Sequence, residues 1–247
     1  MKNHICVLII LLSLTFATSA IANTNVLFLG DSLSADKDTG IGRNLSLPPE
    51  LFTLKVAAFC GYSPDNYTSA TAQGKRSSPC GTFMRTEAGA VSPRHIVPPL
   101  SDLMRFKQGS RIADQVVIQL GTNLYDGLIN EKKISIQITA ECERLLSAIF
   151  KINPNAKILW LAPPKIFKLN GVKVAQVLTD LMFLSIQKAV DHYNEKVEPA
   201  RVTVVDSRNF TDYPLFGGPA AGDGVHFDSL QTRWLQKTEQ SILELNP

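Results

Sequence analysis

Five short runs of apolar residues recur along the chain, rich in Val, Ile and Leu and without a strict alternation of apolar and polar positions. This pattern is typical of strands that are covered on both faces of a parallel sheet. The predicted strands are Val26–Leu29, Leu54–Phe59, Gln115–Leu120, Lys157–Leu161 and Val202–Val205.

Between and after these runs, apolar residues recur three and four positions apart, as they do on one face of an α-helix. Asn153-Pro154 should end the first of these helices, and Asp228 or Ser229 should cap the last. Strands that alternate with helices predict a doubly wound, three-layer α/β/α sandwich around a five-stranded parallel sheet. The predicted helices are Ile134–Ile152, Val172–Val197 and Leu230–Leu245.

The segment from residue 61 to residue 109 breaks this alternation, because it is rich in Ser, Thr, Pro and Gly and shows little periodicity. So long a connection is uncommon in a compact domain unless it is functional or contains elements that the pattern does not reveal. A short helix around Pro99–Arg105 fits the sequence. For His95 the sequence favours a structural or solvent role over a substrate contact. For three further residues of this connection it favours surface positions over substrate contacts: Tyr62, Arg76 and Arg85.

The N-terminus has the pattern of a signal peptide: Lys2 precedes an apolar run, Ile5–Phe16, and Ala20-Ile21-Ala22 supplies small residues for cleavage. We therefore expect residues 1–22 to be removed and residues 23–247 to form one domain, secreted or periplasmic. A retained membrane anchor is the alternative. The apolar run is shorter than the roughly 18 to 20 residues that span a bilayer, so we expect no stable membrane insertion after cleavage.

Composition adds little to this interpretation. Hydrophobic residues make up 45% of the chain and charged residues 19%, an ordinary balance for a globular domain with a sizeable core. Loss of residues 1–22 removes Lys2 and changes the formal charge from +3 to +2. Such a charge gives no reason to expect a nucleic acid or an anionic lipid surface as a partner.

Export to an oxidising compartment would allow two cysteines to pair. Cys60 and Cys80 flank a polar, turn-rich segment, and we expect a disulfide between them. Cys142 lies among apolar residues of a predicted helix, where a buried, free thiol is favoured.

Residues with chemical potential follow the predicted strands. In a doubly wound sheet ligands bind beyond the carboxyl ends of the strands, so these positions are the first to inspect. After the first, second, third and fifth strands the chain carries Gly30-Asp31-Ser32, Cys60-Gly61, Gly121-Thr122-Asn123 and Asp223-Gly224-Val225-His226.

Together these residues provide the parts of a serine hydrolase. Ser32 is a candidate nucleophile, and it needs a base such as the imidazole of His226. Asp223 precedes His226 by three residues, so one turn can bring its carboxylate to Nδ1 of the ring. Three donors could stabilise a tetrahedral oxyanion: the backbone N–H groups of Ser32 and Gly61 and the side-chain amide of Asn123.

Four blocks of sequence resemble those of the SGNH (GDSL-type) hydrolase superfamily, in the family's order and over nearly all of residues 23–247. The resemblance implies a flavodoxin-like α/β/α sandwich in which Ser32 is the nucleophile, His226 the base and Asp223 its partner. It also implies that Gly61 and Asn123 complete the oxyanion hole, and that neither a metal nor an organic cofactor is needed. Leu124 follows Asn123 where many members have Asp. The blocks are Gly30-Asp31-Ser32-Leu33-Ser34, Gly61, Gly121-Thr122-Asn123 and Asp223-Gly224-Val225-His226.

We expect a serine esterase that removes O-acetyl groups from an envelope or extracellular glycan. Transfer of the acyl group to a glycan acceptor, a lipase-like esterase activity and a non-catalytic envelope-binding role are the alternatives. Each residue taken singly also fits a structural role: Asp31 and Ser32 as helix caps, and Asn123 as a turn former.

Overall fold

A seven-stranded sheet forms the centre of the computed structural model, which describes residues 23–69, 82–91, 98–107, 111–123, 131–165, 168–169, 172–173, 176–210, 226–227 and 229–246. Its strands are β1 (Thr24–Gly30), β2 (Phe52–Phe59), β3 (Thr82–Thr86), β4 (Gly89–Val91), β5 (Gln115–Gln119), β6 (Lys157–Leu161) and β9 (Val202–Val205). A separate two-stranded sheet contains β7 (Lys168–Leu169) and β8 (Val172–Lys173).

The strand order is β4-β3-β2-β1-β5-β6-β9, in which the five predicted strands form the parallel part. The expectation of a five-stranded sheet is wrong, because β3 and β4 extend it with antiparallel pairing. Both come from the connection in which the sequence showed no strand. In β3 one residue, Phe83, is buried, so an edge strand of this kind has too little apolar character to be detected.

The parallel strands follow the flavodoxin-like order in which the first strand lies between the second and the third. On one side β1 pairs with β2, with Gly30 opposite Ala58, and on the other it pairs with β5, with Gly30 opposite Gln119. The order of the chain reverses between β1 and β5. A crevice for ligands is therefore expected beyond the carboxyl ends of these two strands.

Helices cover both faces of the sheet. Leu27 and Leu29 of β1 pack into a core shared with α5 and α6, whereas Val26 and Phe28 pack into a second core that includes Trp234 of α7. This alternation explains why β1 is apolar at successive positions. The helices are α1 (Ser32–Ala35), α2 (Ile41–Asn44), α3 (Pro64–Thr68), α4 (Leu100–Met104), α5 (Glu131–Ile152), α6 (Gln176–Asn194) and α7 (Thr232–Glu244).

The helix expected around Pro99–Arg105 is confirmed as α4, but two details of the helix predictions are wrong. Val172 lies in the small hairpin, not in α6, although its spacing fits the helical periodicity. The N-cap of α7 is Gln231, which makes no side-chain capping bond, rather than Ser229. Asp228 lies outside the described residues.

Two sequence expectations concern export. Cys142 is confirmed as a buried, free cysteine, and burial raises the pKa of its thiol well above the ordinary value. Cys60 is disulfide-bonded, but Cys80 lies outside the described residues, so the pairing of these two stays a prediction.

Residues 1–22, the predicted signal peptide, also lie outside the described residues. Within the part of the chain that the structure describes, no helix has both the length and the hydrophobicity that crossing a bilayer requires.

Candidate active site

Ser32 begins α1 directly beyond the end of β1, and it is 3% exposed. The preceding residue, Asp31, is the N-cap of this helix, and its carboxyl group accepts a 3.0 Å hydrogen bond from the backbone N–H of Leu33. The interpretation of Asp31 as a helix cap is thus confirmed. Ser32 lies inside the first turn, where a backbone N–H has no acceptor within the helix.

Gly61 lies in a tight turn after β2, closed by a 3.2 Å hydrogen bond from the N–H of Tyr62 to the carbonyl oxygen of Phe59. Its φ of 76° matches the third position of a type II turn, which favours glycine. Tyr62 is 2% exposed and packs against Phe59 and Tyr67, with ring centroids 4.9 and 5.3 Å away. The expectation that Tyr62 lies on the surface is wrong.

Asn123 follows β5 and reaches across to the Gly61 turn. Its Nδ2 donates a 3.1 Å hydrogen bond to the backbone carbonyl of Tyr62. An amide nitrogen carries two N–H groups, so this bond leaves one for another acceptor. The carbonyl of Tyr62 thus holds the amide of Asn123 in position.

Gly121 allows the loop that carries Asn123 to pack closely against the segment after β6. Its φ is 134°, and a Cβ atom at this position would lie 2.7 Å from Cγ of Pro163. Any larger residue would therefore combine an unfavourable backbone conformation with a steric clash.

His226 is partly buried and is held by its neighbour in the sequence. The Phe227 ring packs edge-on against Trp234, with centroids 5.9 Å apart, and the indole N–H of Trp234 donates a 2.9 Å hydrogen bond to Oγ of Ser207. The second core thus anchors the chain next to the predicted base. Asp223 lies outside the described residues, so its pairing with His226 stays a prediction.

Two carboxyl groups lie within electrostatic range of His226. Burial raises the pKa of Asp31 to about 6. Hydrogen bonds from Thr122 and from the Leu33 N–H, together with the attraction of His226, act in the opposite direction and lower it. Burial also acts to raise the pKa of Asp36, but hydrogen bonds from Thr39 and Asp38, with the attraction of His226, hold it below the ordinary value. His226 therefore lies within electrostatic range of the segment that carries Ser32.

A buried polar cluster behind Ser32 was not predicted from the sequence. The Thr122 hydroxyl donates to the Asp31 carboxyl group, and the Ser34 hydroxyl donates a 2.6 Å hydrogen bond to Oε1 of Gln119. Thr122 belongs to the Gly121-Thr122-Asn123 block, but nothing in the sequence indicated its bond to Asp31, and Gln119 lies inside an apolar run and carries no recognisable signal. No group of three or more described His, Cys, Asp or Glu residues is arranged to hold a metal ion.

No family model and no curated protein sequence matches the chain. Solved structures do match. A carbohydrate esterase of family 3 from Talaromyces cellulolyticus superposes with a TM-score of 0.52 at 12% identity, over 90% of this chain and 97% of the other. A protein described as a GDSL-like lipase, from Bacteroides ovatus, gives 0.56 at 12% identity, over 90% and 53% of the two chains.

An acetyl xylan esterase from the rumen bacterium Butyrivibrio proteoclasticus gives a TM-score of 0.50 at 14% identity, over 90% of this chain and 64% of the other. The chain has the SGNH hydrolase fold. The SGNH hydrolase fold was predicted from four short blocks of sequence, and the mostly parallel sheet between two layers of helices confirms it. In this fold the first described block begins at the last residue of β1, and the described parts of the others follow strands or precede α7.

Proposed function

We propose that this protein is a serine esterase that hydrolyses an ester through an acyl-enzyme on Ser32. The observation that carries the proposal is that Ser32, Gly61 and Asn123 follow three adjacent parallel strands, β1, β2 and β5. The hydrogen bond from Asn123 to the carbonyl of Tyr62 joins two of these strand ends beside the third. Such convergence at a reversal of strand order is where this class of sheet binds its ligands.

In the proposed reaction, Oγ of Ser32 attacks the ester carbonyl carbon while the imidazole of His226 accepts the hydroxyl proton. The N–H groups of Ser32 and Gly61 and the second N–H of Asn123 donate to the oxyanion that forms. The bond to the leaving alcohol then breaks, and His226 gives that alkoxide its proton. Water repeats the sequence on the acyl-enzyme, which releases the acid and restores Ser32. Asp223 holds the tautomer of His226.

We assign the substrate to the O-acetylated glycans. The support is twofold: the fold is shared with an acetyl xylan esterase and a carbohydrate esterase, and the N-terminal residues predict export. A mature chain beginning near Asn23 and recovered outside the cytoplasm would agree with this assignment. N-terminal sequencing of the exported protein tests the prediction of export and cleavage.

The decisive experiment combines p-nitrophenyl acetate, butyrate and octanoate with acetylated xylan, on which released acetate is measured. We expect preference for the acetyl ester, acetate release from the glycan, and labelling of Ser32 by a fluorophosphonate. Ser32→Ala should abolish all three without changing the melting temperature. Ser135→Ala removes a hydroxyl between α5 and α6, 3.0 Å from Oγ of Ser185, and should keep full activity.

Three outcomes would contradict the proposal. Hydrolysis that persists in Ser32→Ala would place the chemistry elsewhere. A wild-type protein that is neither labelled nor active on any ester would favour a non-catalytic binding role. Acetyl transfer to an added glycan in preference to water would identify an acyltransferase with the same nucleophile.

A further inference from the structure

A buried carboxyl group lies directly behind the predicted nucleophile. Asp31, Ser34 and Gln119 are all 0% exposed, and Thr122 is 1% exposed. Burying an ionisable group costs free energy unless hydrogen bonds compensate for the lost water. The carboxyl oxygens of Asp31 accept from the N–H of Leu33 and from the hydroxyl of Thr122, which are both neutral donors. So unfavourable a position calls for a reason other than packing.

The bonds of Asp31 connect two strand ends of the site. Its carboxyl group spans from the first turn of α1 to Thr122, and its backbone N–H donates a 3.2 Å hydrogen bond to the carbonyl of Gln119. The hydroxyl of Ser34 adds a third connection, to the side chain of Gln119. The loop that presents Ser32 is thereby fixed to the end of β5.

Thr122 precedes the proposed oxyanion donor Asn123, whose amide is bonded to the Tyr62 carbonyl. A continuous path therefore runs from Asp31 through Thr122 and Asn123 to the turn that contains Gly61. A change along this path would shift the proposed nucleophile relative to two of the proposed oxyanion donors. A displacement of about 1 Å in such a constellation can cost about a hundredfold in rate.

We propose that Asp31 is a positioning residue, which uses its hydrogen bond from Thr122 to hold the Ser32 turn at the correct distance from the oxyanion donor Asn123. This role rests on the proposed esterase function. A carboxylate suits the task because it is an acceptor at both oxygens and can receive the Leu33 N–H and the Thr122 hydroxyl together. An amide in its place would present an N–H to the Thr122 oxygen and reverse that bond.

The carboxylate of Asp31 also interacts electrostatically with His226, and, with burial as the larger cause, its charge raises the pKa of Tyr67. A positioning role and a purely electrostatic role therefore need separate tests. Thr122→Val separates the two roles when both proteins are assayed well above pH 6, since it removes the hydroxyl, keeps the volume of the side chain and leaves Asp31 ionised there. At lower pH the loss of this hydrogen bond would itself raise the pKa of Asp31. Thr122→Ser restores the hydroxyl.

The experiment measures the rate constant for fluorophosphonate labelling of Ser32, a reaction in which Oγ forms the P–O bond and fluoride leaves. It also measures kcat and KM on p-nitrophenyl acetate. We expect Thr122→Val to lower the labelling rate and kcat at least tenfold with KM changed less than twofold, and Thr122→Ser to recover at least half of the wild-type values. Thr238→Val is the matched control, because it removes a buried hydroxyl bonded to the carbonyl of Trp234 in α7.

Each result has one meaning. Wild-type kcat and labelling in Thr122→Val, with Ser32→Ala inactive, would overturn the positioning role and leave the esterase intact. An equal loss in Thr122→Val and Thr238→Val would also overturn it, since the cause would then be general destabilisation. A wild-type protein that is neither labelled nor active would remove the proposed function and this role with it.

Discussion

The side-chain amide of Asn123 donates a 3.1 Å hydrogen bond to the backbone carbonyl of Tyr62, a residue 61 positions earlier in the chain. The bond joins the loops after β5 and β2, which lie on opposite sides of β1. Each loop carries a proposed oxyanion donor. Asn123 thus connects two loops and keeps one N–H for the proposed reaction.

If that second N–H stabilises the transition state, Asn123→Ala should lower kcat about a hundredfold with little change in KM. A purely structural amide predicts instead a loss of about 1 kcal/mol of unfolding free energy and a normal kcat per folded molecule. The control is Asn153→Ala, which removes a 2.8 Å bond from an amide to the Ala113 carbonyl near the opposite ends of the strands. Kinetics and denaturant unfolding on the same preparations distinguish the two roles.

Asp31 should make stability depend on pH in an unusual direction. Its pKa in the folded protein, about 6, exceeds the ordinary 3.8, so the folded state binds its proton more tightly than the unfolded state does. This difference in pKa corresponds to about 3 kcal/mol of unfolding free energy. Wild type has this stabilisation at about pH 4 and loses it as the pH rises above about 6. Asp31→Asn cannot ionise, so relative to wild type it should gain up to this amount of stability over that range, while its kcat falls.

Asp206→Asn should show the opposite pH dependence of stability relative to wild type, and it serves as the comparison. Burial acts to raise the pKa of Asp206, but hydrogen bonds from Arg208 at 2.7 Å hold it below the ordinary value. The ionised form therefore stabilises the fold, and this variant should lose stability relative to wild type as the pH rises. Urea unfolding of the three proteins at a series of pH values provides the measurement, and equal pH dependence in wild type and Asp31→Asn would contradict the prediction.

Gly121→Ala should impair both stability and activity. The new Cβ would meet Pro163 while the backbone keeps a φ of 134°, and strain with overpacking should together cost about 2 to 4 kcal/mol. Gly89 has a φ of 112°, but no atom lies within 4 Å of the position that a methyl group would take there, so Gly89→Ala should cost about 1 to 2 kcal/mol from backbone strain. Thermal unfolding should show the larger loss in Gly121→Ala, and kcat should fall in that variant while Gly89→Ala keeps it.

Reduction should affect the site through Cys60, which adjoins Gly61. By chain-entropy reasoning, a disulfide closing a loop of about 20 residues contributes roughly 3 kcal/mol. We expect a reducing agent to lower both the melting temperature and kcat. Alkylation followed by peptide mass spectrometry should find Cys142 free after denaturation, and Cys60 with Cys80 accessible after reduction. Free thiols at both Cys60 and Cys80 in the native protein would contradict the predicted disulfide between them.

The sequence predicted best those elements whose side chains are buried on both sides. β6 begins and ends at the predicted residues, and four of its five residues are buried, because an apolar run of this kind leaves few alternatives. β9 also has its predicted bounds, although Thr203 is exposed. β3 escaped detection because Phe83 is its one buried residue. An edge strand such as β3 is held in the sheet largely by backbone hydrogen bonds to β2, and the pattern of side chains does not reveal these.

The candidate site was predictable to a similar degree. Ser32, Gly61 and Asn123 stand at strand ends, where residue type and position together point to chemistry. The acceptor of the Asn123 amide was not predictable, because it is a backbone carbonyl and any residue at position 62 would provide one. Gln119 was not predictable either, since a buried polar residue inside an apolar run is indistinguishable from a neighbour facing solvent until the sheet is assembled.

The central position of β1 has a consequence for the dynamics of the site. Residues 26–30 pair on both sides, with β2 and with β5, and Val26–Leu29 are fully buried. Opening this strand requires two ladders and two cores to separate at once, so its amide protons should exchange with solvent at the rate of global unfolding. The residue proposed to attack the substrate is therefore attached to the least fluctuating strand of the described sheet, and it should keep its position until the whole domain unfolds.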